Sequence, residues 1–459
     1  MQTTVIGRCL KEINAVAVIV GFLTCSSLVV QGQQRKDMKM FLSSDSASFV
    51  QFLFTNQTWV RYAENNPGSA VAGSNAYQME DKTFDIGLRR TRMQFVGKIN
   101  RRLFIYTQFG LNNFNYISSR KSGFFIHDAL GEINLNKAVS FGAGLTAWTG
   151  FSRYSSPGVA SIMGLDAPLF LQATNDANDQ FLRKLSLYAK GNLHQINYRL
   201  VVSKPMDFVY STLYKKNNIS ADAMLAPTPP KPQFSGYLSY QFLDLESDMT
   251  PYQVGTYLGK KKVFNVGGGW QYQPDATWYT RTKADQTDTL FHDMLLASLD
   301  FYFDAPLNKE HGDAISFYAV AAHYDFGPGY IRNIGVMNTT DSLKATSSTF
   351  NGTGVNFPMI GTGNSAYVQV GYLTRRLSNK ETSARLMPYA AVQYSIYEKL
   401  ADPMIFADLG CSLYLDDSRS KLTLGIQNRP IYKTSATDPK SIKLDHRLNS
   451  FILQYQVSF

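Results

Sequence analysis

The sequence predicts an all-β chain: a transmembrane antiparallel β-barrel of about sixteen strands, with eighteen as the alternative count. Three observations carry this reading. Aromatic residues make up 13% of the 459-residue chain and charged residues only 17%, against about 25% charged in ordinary globular domains. Apolar and polar residues alternate at period two along most of the chain, down to the closing FILQYQVSF, where Phe451, Leu453, Tyr455, Val457 and Phe459 share one face. The connections between alternating runs are short and long in turn, as in barrels with tight turns at one rim and long loops at the other.

The first residues are a different material. Arg8 and Lys11 precede an almost wholly apolar or small run from Ile13 to Val30, which turns polar at Gln31. A basic start, an apolar middle and a small-residue exit read as a secretory leader over 1–32, addressed to the Sec pathway. Residues 33–46 form a lead-in, and the barrel occupies 47–459. Cys9 and Cys25 leave with the leader, so Cys411 stays alone and no intramolecular disulfide is available. No later run approaches the roughly 20 apolar residues of a spanning helix, so the chain crosses a membrane as strands.

The strands are expected at 47–62, 83–99, 103–117, 124–136, 138–150, 180–191, 194–204, 233–245, 263–273, 290–304, 312–326, 365–377, 384–397, 405–415, 421–433 and 445–459. A seventeenth run, 251–258, carries Pro251 and Gly255 and leads into Gly259 and Lys260 to Lys262. It is the weakest strand by composition. Long connections fall at 63–82, 151–179, 205–232, 274–289 and 327–364. All lie on one rim only if an even number of strands separates each pair, and removing 251–258 satisfies that condition.

Sixteen strands leave room for a water-filled bore, whereas about eight fill their interior with side chains. The polar faces should therefore line it. They place Arg90, Arg92 and Lys98 opposite Met93, Phe95 and Ile99; Lys184 and Lys190 on the sixth strand; Arg199 on the seventh; and Arg429 and Lys433 opposite Leu422, Leu424 and Ile426. Arg375 and Arg385 fit the same assignment, while Arg89, Arg101 and Arg102 read as rim residues. With a net charge of +10, these faces favour anions.

The run Leu88-Arg89-Arg90-Thr91-Arg92-Met93-Gln94-Phe95-Val96-Gly97-Lys98, followed by Leu103-Phe104-Ile105-Tyr106-Thr107-Gln108-Phe109, resembles the early strand pair of the phosphate-selective porin O and P family. The resemblance covers about 20 residues. It implies a sixteen-stranded, usually trimeric porin of the Gram-negative outer membrane, with arginines and lysines guiding small anions such as phosphate. On that reading Arg90, Arg92 and Lys98 belong to a basic ladder. Phe451, Leu453, Tyr455, Val457 and terminal Phe459 resemble the signal read by the barrel-assembly machinery, and the odd face meets outer-membrane lipid.

No enzyme chemistry or cofactor is expected. None of His127, His194, His292, His311, His323 and His446 pairs with another at metal-ligand spacing. His323 and Asp325 share a strand face without a nucleophile. Gly267 to Gly269 sit inside a strand with no following helix, so they form no phosphate loop and instead let the wall bend. Asp244, Glu246 and Asp248 read as a solvated turn. The export signal excludes nucleic acid as the partner of the basic residues. Loop 151–179 is the expected constriction, where Asp166, Asp176 and Asp179 would oppose anion preference. The competing class is a non-conducting barrel that acts as receptor, adhesin or secretion accessory through its long loops.

Overall fold

A computed structural model describes residues 38–70, 81–116, 124–206, 219–226, 230–283, 286–308, 310–338, 349–378, 384–435, 438 and 441–459. The leader 1–32 lies outside them. Eighteen strands among the described residues share one sheet. Sixteen form a closed antiparallel ring: β1 Phe49–Glu64, β2 Lys82–Lys98, β3 Leu103–Phe114, β4 Phe125–Asn134, β5 Ser140–Thr146, β6 Lys184–Leu193, β7 Ile196–Lys204, β8 Gln233–Gln241, β9 Val263–Lys283, β10 Gln286–Asn308, β11 Asp313–Asp325, β12 Gly363–Leu373, β13 Arg385–Tyr397, β14 Met404–Asp416, β15 Ser420–Thr434 and β16 Ile442–Ser458. Each pairs with its neighbours in sequence, and β16 returns to β1 from Thr55↔Ser458 to Ala63↔Ser450. The remaining two, Lys39–Phe41 and Met224–Leu225, pair with β1 and β9 outside the ring. The sixteen expected strands are the ring strands, and 251–258 is not one of them.

Alternation sets the faces. In β16, Ile452, Gln454 and Gln456 are buried, while Phe451, Tyr455 and terminal Phe459 are exposed. At the seam the buried polar face is satisfied across strands: Gln57 Nε2 donates to Gln456 Oε1 at 2.9 Å and Trp59 Nε1 to Gln454 Oε1 at 2.7 Å. The outer face presents exposed Phe84, Ile86, Phe95, Ile105, Leu187, Leu200, Leu238, Leu299, Val368 and Leu424. A closed ring leaves no strand edge open, and an apolar outer face suits a lipid surround.

Asparagines make the tight turns. Asn100 Oδ1 accepts from the amides of Arg102 and Leu103, and Asn136 Oδ1 from those of Ala138 and Val139, the local bonding that favours Asn in turns. One expected long loop, 274–289, is corrected. β9 and β10 run on as a hairpin to Lys283↔Gln286, across an irregularity between Gln273 and Thr277. Pro274 and Asp275, the latter with φ 46°, interrupt the alternation that would have betrayed the extension.

The interior is largely filled. Among the described residues three segments enter it: 147–183 and the described parts of 326–362 (326–338 and 349–362) from the long-loop rim, and 242–262 from the short-turn rim. Segment 147–183 carries three single-turn 3-10 helices and crosses from wall to wall. Ser298 Oγ donates to Phe151 O at 2.6 Å, Tyr324 OH to Phe170 O at 3.1 Å, Lys421 Nζ to Ile162 O at 2.6 Å and Gln456 Nε2 to Ala160 O at 2.9 Å. Phe151, Tyr154, Phe170 and Leu171 pack with Tyr302, Tyr318 and Tyr324 in a buried apolar cluster. Gly269 marks a close approach of the two backbones: a Cβ there would lie 2.4 Å from Phe151 O. Gly269 thus makes room for the inserted segment, while Gly267 and Gly268 face the neighbouring strands at Tyr237, Asp300 and Ser298.

Candidate functional site

The site is organised by one irregularity in β2. Across the β1–β2 ladder Gln57 faces Arg90 but Thr58 faces Leu88, so Arg89 is an extra residue on the strand. A bulge of this kind aims two consecutive side chains the same way. Arg89 and Arg90 are accordingly 4% and 6% exposed and converge on one carboxylate from segment 147–183. Arg89 Nε and Nη2 reach Asp166 Oδ2 at 2.9 and 2.6 Å, and Arg90 Nη2 reaches Oδ1. Arg89 is therefore not a rim residue, as regular alternation implied. Burial pushes the Asp166 carboxyl up, but the two guanidiniums outweigh it and hold it below the usual carboxylate range.

Further guanidiniums gather beside this knot. Arg92 donates to the carbonyls of Thr91 and Leu111 and to Asn112 Oδ1. Arg183 follows Phe181 and Leu182, whose φ values of 49° and 76° turn the chain sharply into β6. Its Nη2 donates to Tyr252 OH at 2.8 Å and its Nε approaches Asp128 Oδ2 at 3.4 Å. Arg332, from the short strand Ile331–Ile334 of the third inserted segment, donates to the carbonyls of Ala173 and Asn175. Arg89, Arg90, Arg92, Arg183 and Arg332 line a cavity of about 150 Å³. Five cations thus face three carboxylates, Asp128, Asp166 and Asp176, so the cavity carries excess positive charge. A second cavity, of about 70 Å³, lies on the other side of Asp166 and is bounded by Arg61, Phe170, Asp408, Gln427 and Arg429. Leu169 and Val336 border both.

The residues singled out by alternation are spread more widely. Only Arg90 and Arg92 join this cluster. Lys98 is half-buried at the short-turn end of β2. Lys184 is fully buried against Asp179 at 3.2 Å, and Lys190 against Glu132 at 3.0 Å. Arg199 is buried with its guanidinium 4.6 Å from the Tyr237 ring, and its Nη2 approaches the carbonyls of Gly150 and Ser152. Arg429 reaches Ser450 Oγ, Asn66 Oδ1 and the Glu64 carbonyl. Lys433 stands largely in solvent at the long-loop end of β15, 2.8 Å from Asp445. Among the described residues no carboxylate lies within ion-pair distance of Arg92, Arg199, Arg332 or Arg429.

Alternation did not single out Arg61, Arg153, Arg183 or Arg332. Arg61 shares the buried face of β1 with Gln57 and Trp59, so period two contained it. Arg153 and Arg332 sit on inserted segments where no periodicity speaks. The histidine arrangement also differs from the same-strand pair considered: His292 bonds Asp325 across two strands at 2.7 Å, and His323 bonds Asn364. No group of three or more His, Cys, Asp or Glu among the described residues is arranged to hold a metal ion.

No protein-family model matches the chain, and no curated protein sequence matches it. Similar solved structures include the outer-membrane expressed OmpT of Vibrio cholerae (11% identity, 92% of this chain and 100% of that one, TM-score 0.43). Others are an anion-selective porin from Comamonas acidovorans (10%, 90% and 100%, 0.45) and the outer-membrane channel DcaP of Acinetobacter baumannii (11%, 91% and 99%, 0.46). Likeness at this level assigns no function to the chain.

Proposed function

We propose that the chain is an outer-membrane channel for passive diffusion of small solutes, narrowed by its inserted segments and biased toward small anions such as phosphate. The observation that carries the reading is the arginine-lined cavity inside a closed ring whose outer face is apolar. The cavity concentrates anions because its guanidiniums outnumber its carboxylates, and low-dielectric walls focus the field. Its size admits an ion with part of its water shell and little more. The similar structures described above include channels of the outer membrane, which agrees with this placement, and one of them was also solved as a trimer. A homotrimer is part of the same proposal. So are export by the leader 1–32 and recognition of the terminal aromatic strand by the assembly machinery.

The test is single-channel conductance of the purified protein in planar bilayers, with the reversal potential measured across a KCl gradient. The reading expects small conductance and a chloride-favouring reversal potential. A sealed barrel, or a cation-favouring potential, overturns it. One observation favours the alternative of a loop-presenting receptor: the β9–β10 hairpin outruns the strands beside it. β8 pairs with β9 only to Tyr272, and β11 with β10 only to Leu295. Loss of ligand binding to whole cells on trimming this hairpin, with no conductance in the intact protein, would establish that alternative.

A further inference from the structure

Strands β8 and β9 are adjacent and antiparallel, a connection that two residues can make. The chain instead spends 242–262 on it. The excess enters the ring from the short-turn rim. There it meets segment 147–183, which enters from the opposite rim. Arg153 forks onto Glu246, Nη1 to Oε2 at 2.6 Å and Nη2 to Oε1 at 2.7 Å, with both side chains under 10% exposed. Arg153 Nη2 also donates to Val254 O at 2.7 Å. Pro157 and Gln253 form a parallel bridge, flanked by Gln253 N to Ser156 O at 2.8 Å and Gly158 N to Gln253 O at 2.7 Å. Tyr154 OH donates to Gly255 O, and Gly255 N to Ser161 Oγ. Gly255 is required there, since a Cβ would lie 2.4 Å from Ser161 O. Of the turn expected to be solvated, Asp244 stays exposed, whereas Glu246 is drawn inward because its carboxylate finds a buried guanidinium.

We propose that 242–262 is a displaceable inner plug, latched to segment 147–183 by Arg153 and Glu246, and that the pore conducts when this latch lets go. The proposal rests on the channel reading. Two features make the segment removable where a ring strand is not. Past Asp244, where the amides of Phe242 and Asp244 still extend the β8–β9 ladder to the carbonyls of Phe264 and Lys262, it shares no continuous ladder with the wall. Its grip is largely polar, with Pro251 and Leu258 buried and Tyr252 and Tyr257 packed against the apolar clusters as its hydrophobic contacts. Polar contacts exchange for water at small net cost, unlike an apolar core. Its wall contacts are polar and scattered over several strands: Asp248 at Lys190 and Asn192, Tyr252 at Asp128, Thr256 and Tyr257 N at Asp304, Gly255 O at Tyr302, Leu258 O at Arg385, Glu246 at Gln241 and Asn265, and Lys260 at Asp417. A buried ion pair is weak as a source of net stability and well suited to fixing one of two states.

The experiment uses the full chain in planar bilayers with KCl as the probe. Glu246→Gln leaves the Arg153 charge without its partner, and openings should become at least about tenfold more frequent than in the wild type. Independently, Pro157→Cys with Gln253→Cys, in a chain whose own three cysteines are serine, places two thiols directly opposite across the parallel bridge. Neighbouring strands lie about 4.8 Å apart, within disulfide reach. The oxidised protein should open at least about tenfold less often than the same protein after reduction. Should Glu246→Gln fail to fold, the disulfide pair asks the same question with the latch intact. If oxidised and reduced forms conduct alike, and like the wild type, the segment is a fixed part of the wall and the plug is refuted while the channel stands. If no form conducts, even with 246–256 replaced by a short Gly-Ser linker, the channel reading fails first and the plug with it.

Discussion

Replacing Asp166 by Asn isolates the charge balance at the site. The carboxylate holds Arg89 and Arg90 through three hydrogen bonds, with side chains 5%, 7% and 8% exposed for Arg89, Arg90 and Asp166. The amide is isosteric but neutral, keeps one acceptor oxygen, and turns an N–H₂ toward a guanidinium. Two buried cations then share no full counter-charge. Breaking one buried pair from one side costs about 3–5 kcal/mol. Asn113 Oδ1 still accepts from Arg89 at 2.8 Å and Gln57 Oε1 from Arg90 at 3.1 Å, so we expect about 3 kcal/mol. Urea unfolding of the folded barrel, followed by tryptophan fluorescence, reads that loss. Adding Arg89→Gln and Arg90→Gln to the variant should recover more than half of it. The acid dependence has a fixed sign. Asp166 is held below its unfolded value, so its contribution is present above about pH 4 and lost as pH falls through the folded pKa. The gap between wild type and variant should therefore narrow in acid. If segment 147–183 lets go of the wall more cheaply than the barrel unfolds, the loss is capped there and appears as new protease cleavage in 147–183. A loss under about 1 kcal/mol with unchanged protease resistance would refute the reasoning.

Other outcomes follow from the same faces. Phe95→Lys puts a cation on the apolar outer surface and should lower stability by about 2–4 kcal/mol if the residue lies near the bilayer midplane; normal folding yield and unchanged urea stability in vesicles would count against the face assignment. Arg92→Gln with Arg332→Gln removes two guanidiniums that no carboxylate meets among the described residues, and should move the KCl-gradient reversal potential toward cations, with a smaller shift at high salt. Deleting Phe459 removes ring contacts to Phe54 at 5.4 Å and Phe52 at 5.8 Å, worth about 0.5–1.5 kcal/mol each. The amount of heat-modifiable barrel reaching the outer membrane should fall much further than such a loss explains, and normal levels would remove the terminal residue from assembly.

The ring was legible because each strand carries an exposed apolar face and a buried polar one, and period two survives in the residues that form them. Strand order and the exclusion of 251–258 both came from that alternation and the parity of the connections. The sequence signal failed where alternation is broken by design. At β2 an extra residue shifts the phase, so Thr83, Asp85 and Gly87 are buried on odd positions and Arg90 and Arg92 on even ones. Arg89 ends the odd register and Arg90 begins the even one, so alternation counted back from Arg90 and Arg92 sends Arg89 to the wrong face. The inserted segments are opaque for a different reason. Asp166, Arg153 and Arg332 sit on irregular backbone, and their partners lie far away in sequence, as with Arg153 and Glu246. The long loops before β6 and β12 announced themselves by their length, and only the first of them as the constriction.

The short strand Lys39–Phe41 has a bearing on where the chain's beginning and end belong. It pairs antiparallel with Gln51 to Phe49, while β16 pairs antiparallel with the same edge of β1 down to Thr55↔Ser458. Phe459 N then bonds Phe54 O, Phe54 N bonds Phe459 O, and Phe52 N bonds Met38 O. Only Leu53 separates the two alignments, so Met38–Phe41 and the Phe459 end of β16 line up as one interrupted strand along β1. A linker of a residue or two from Phe459 to Met38 would make it continuous, and the ring would then have no natural starting point. Opening that circle at the tight turn between β14 and β15, with residues 1–37 placed before the new start, keeps every ladder and ends the chain on β14. Such a permutant separates two properties: closure of the ring, which depends on β16 meeting β1, and the proposed recognition of an aromatic at Phe459, which depends on chain order. If it refolds in detergent yet is absent from the outer membrane, the second property resides in chain order alone.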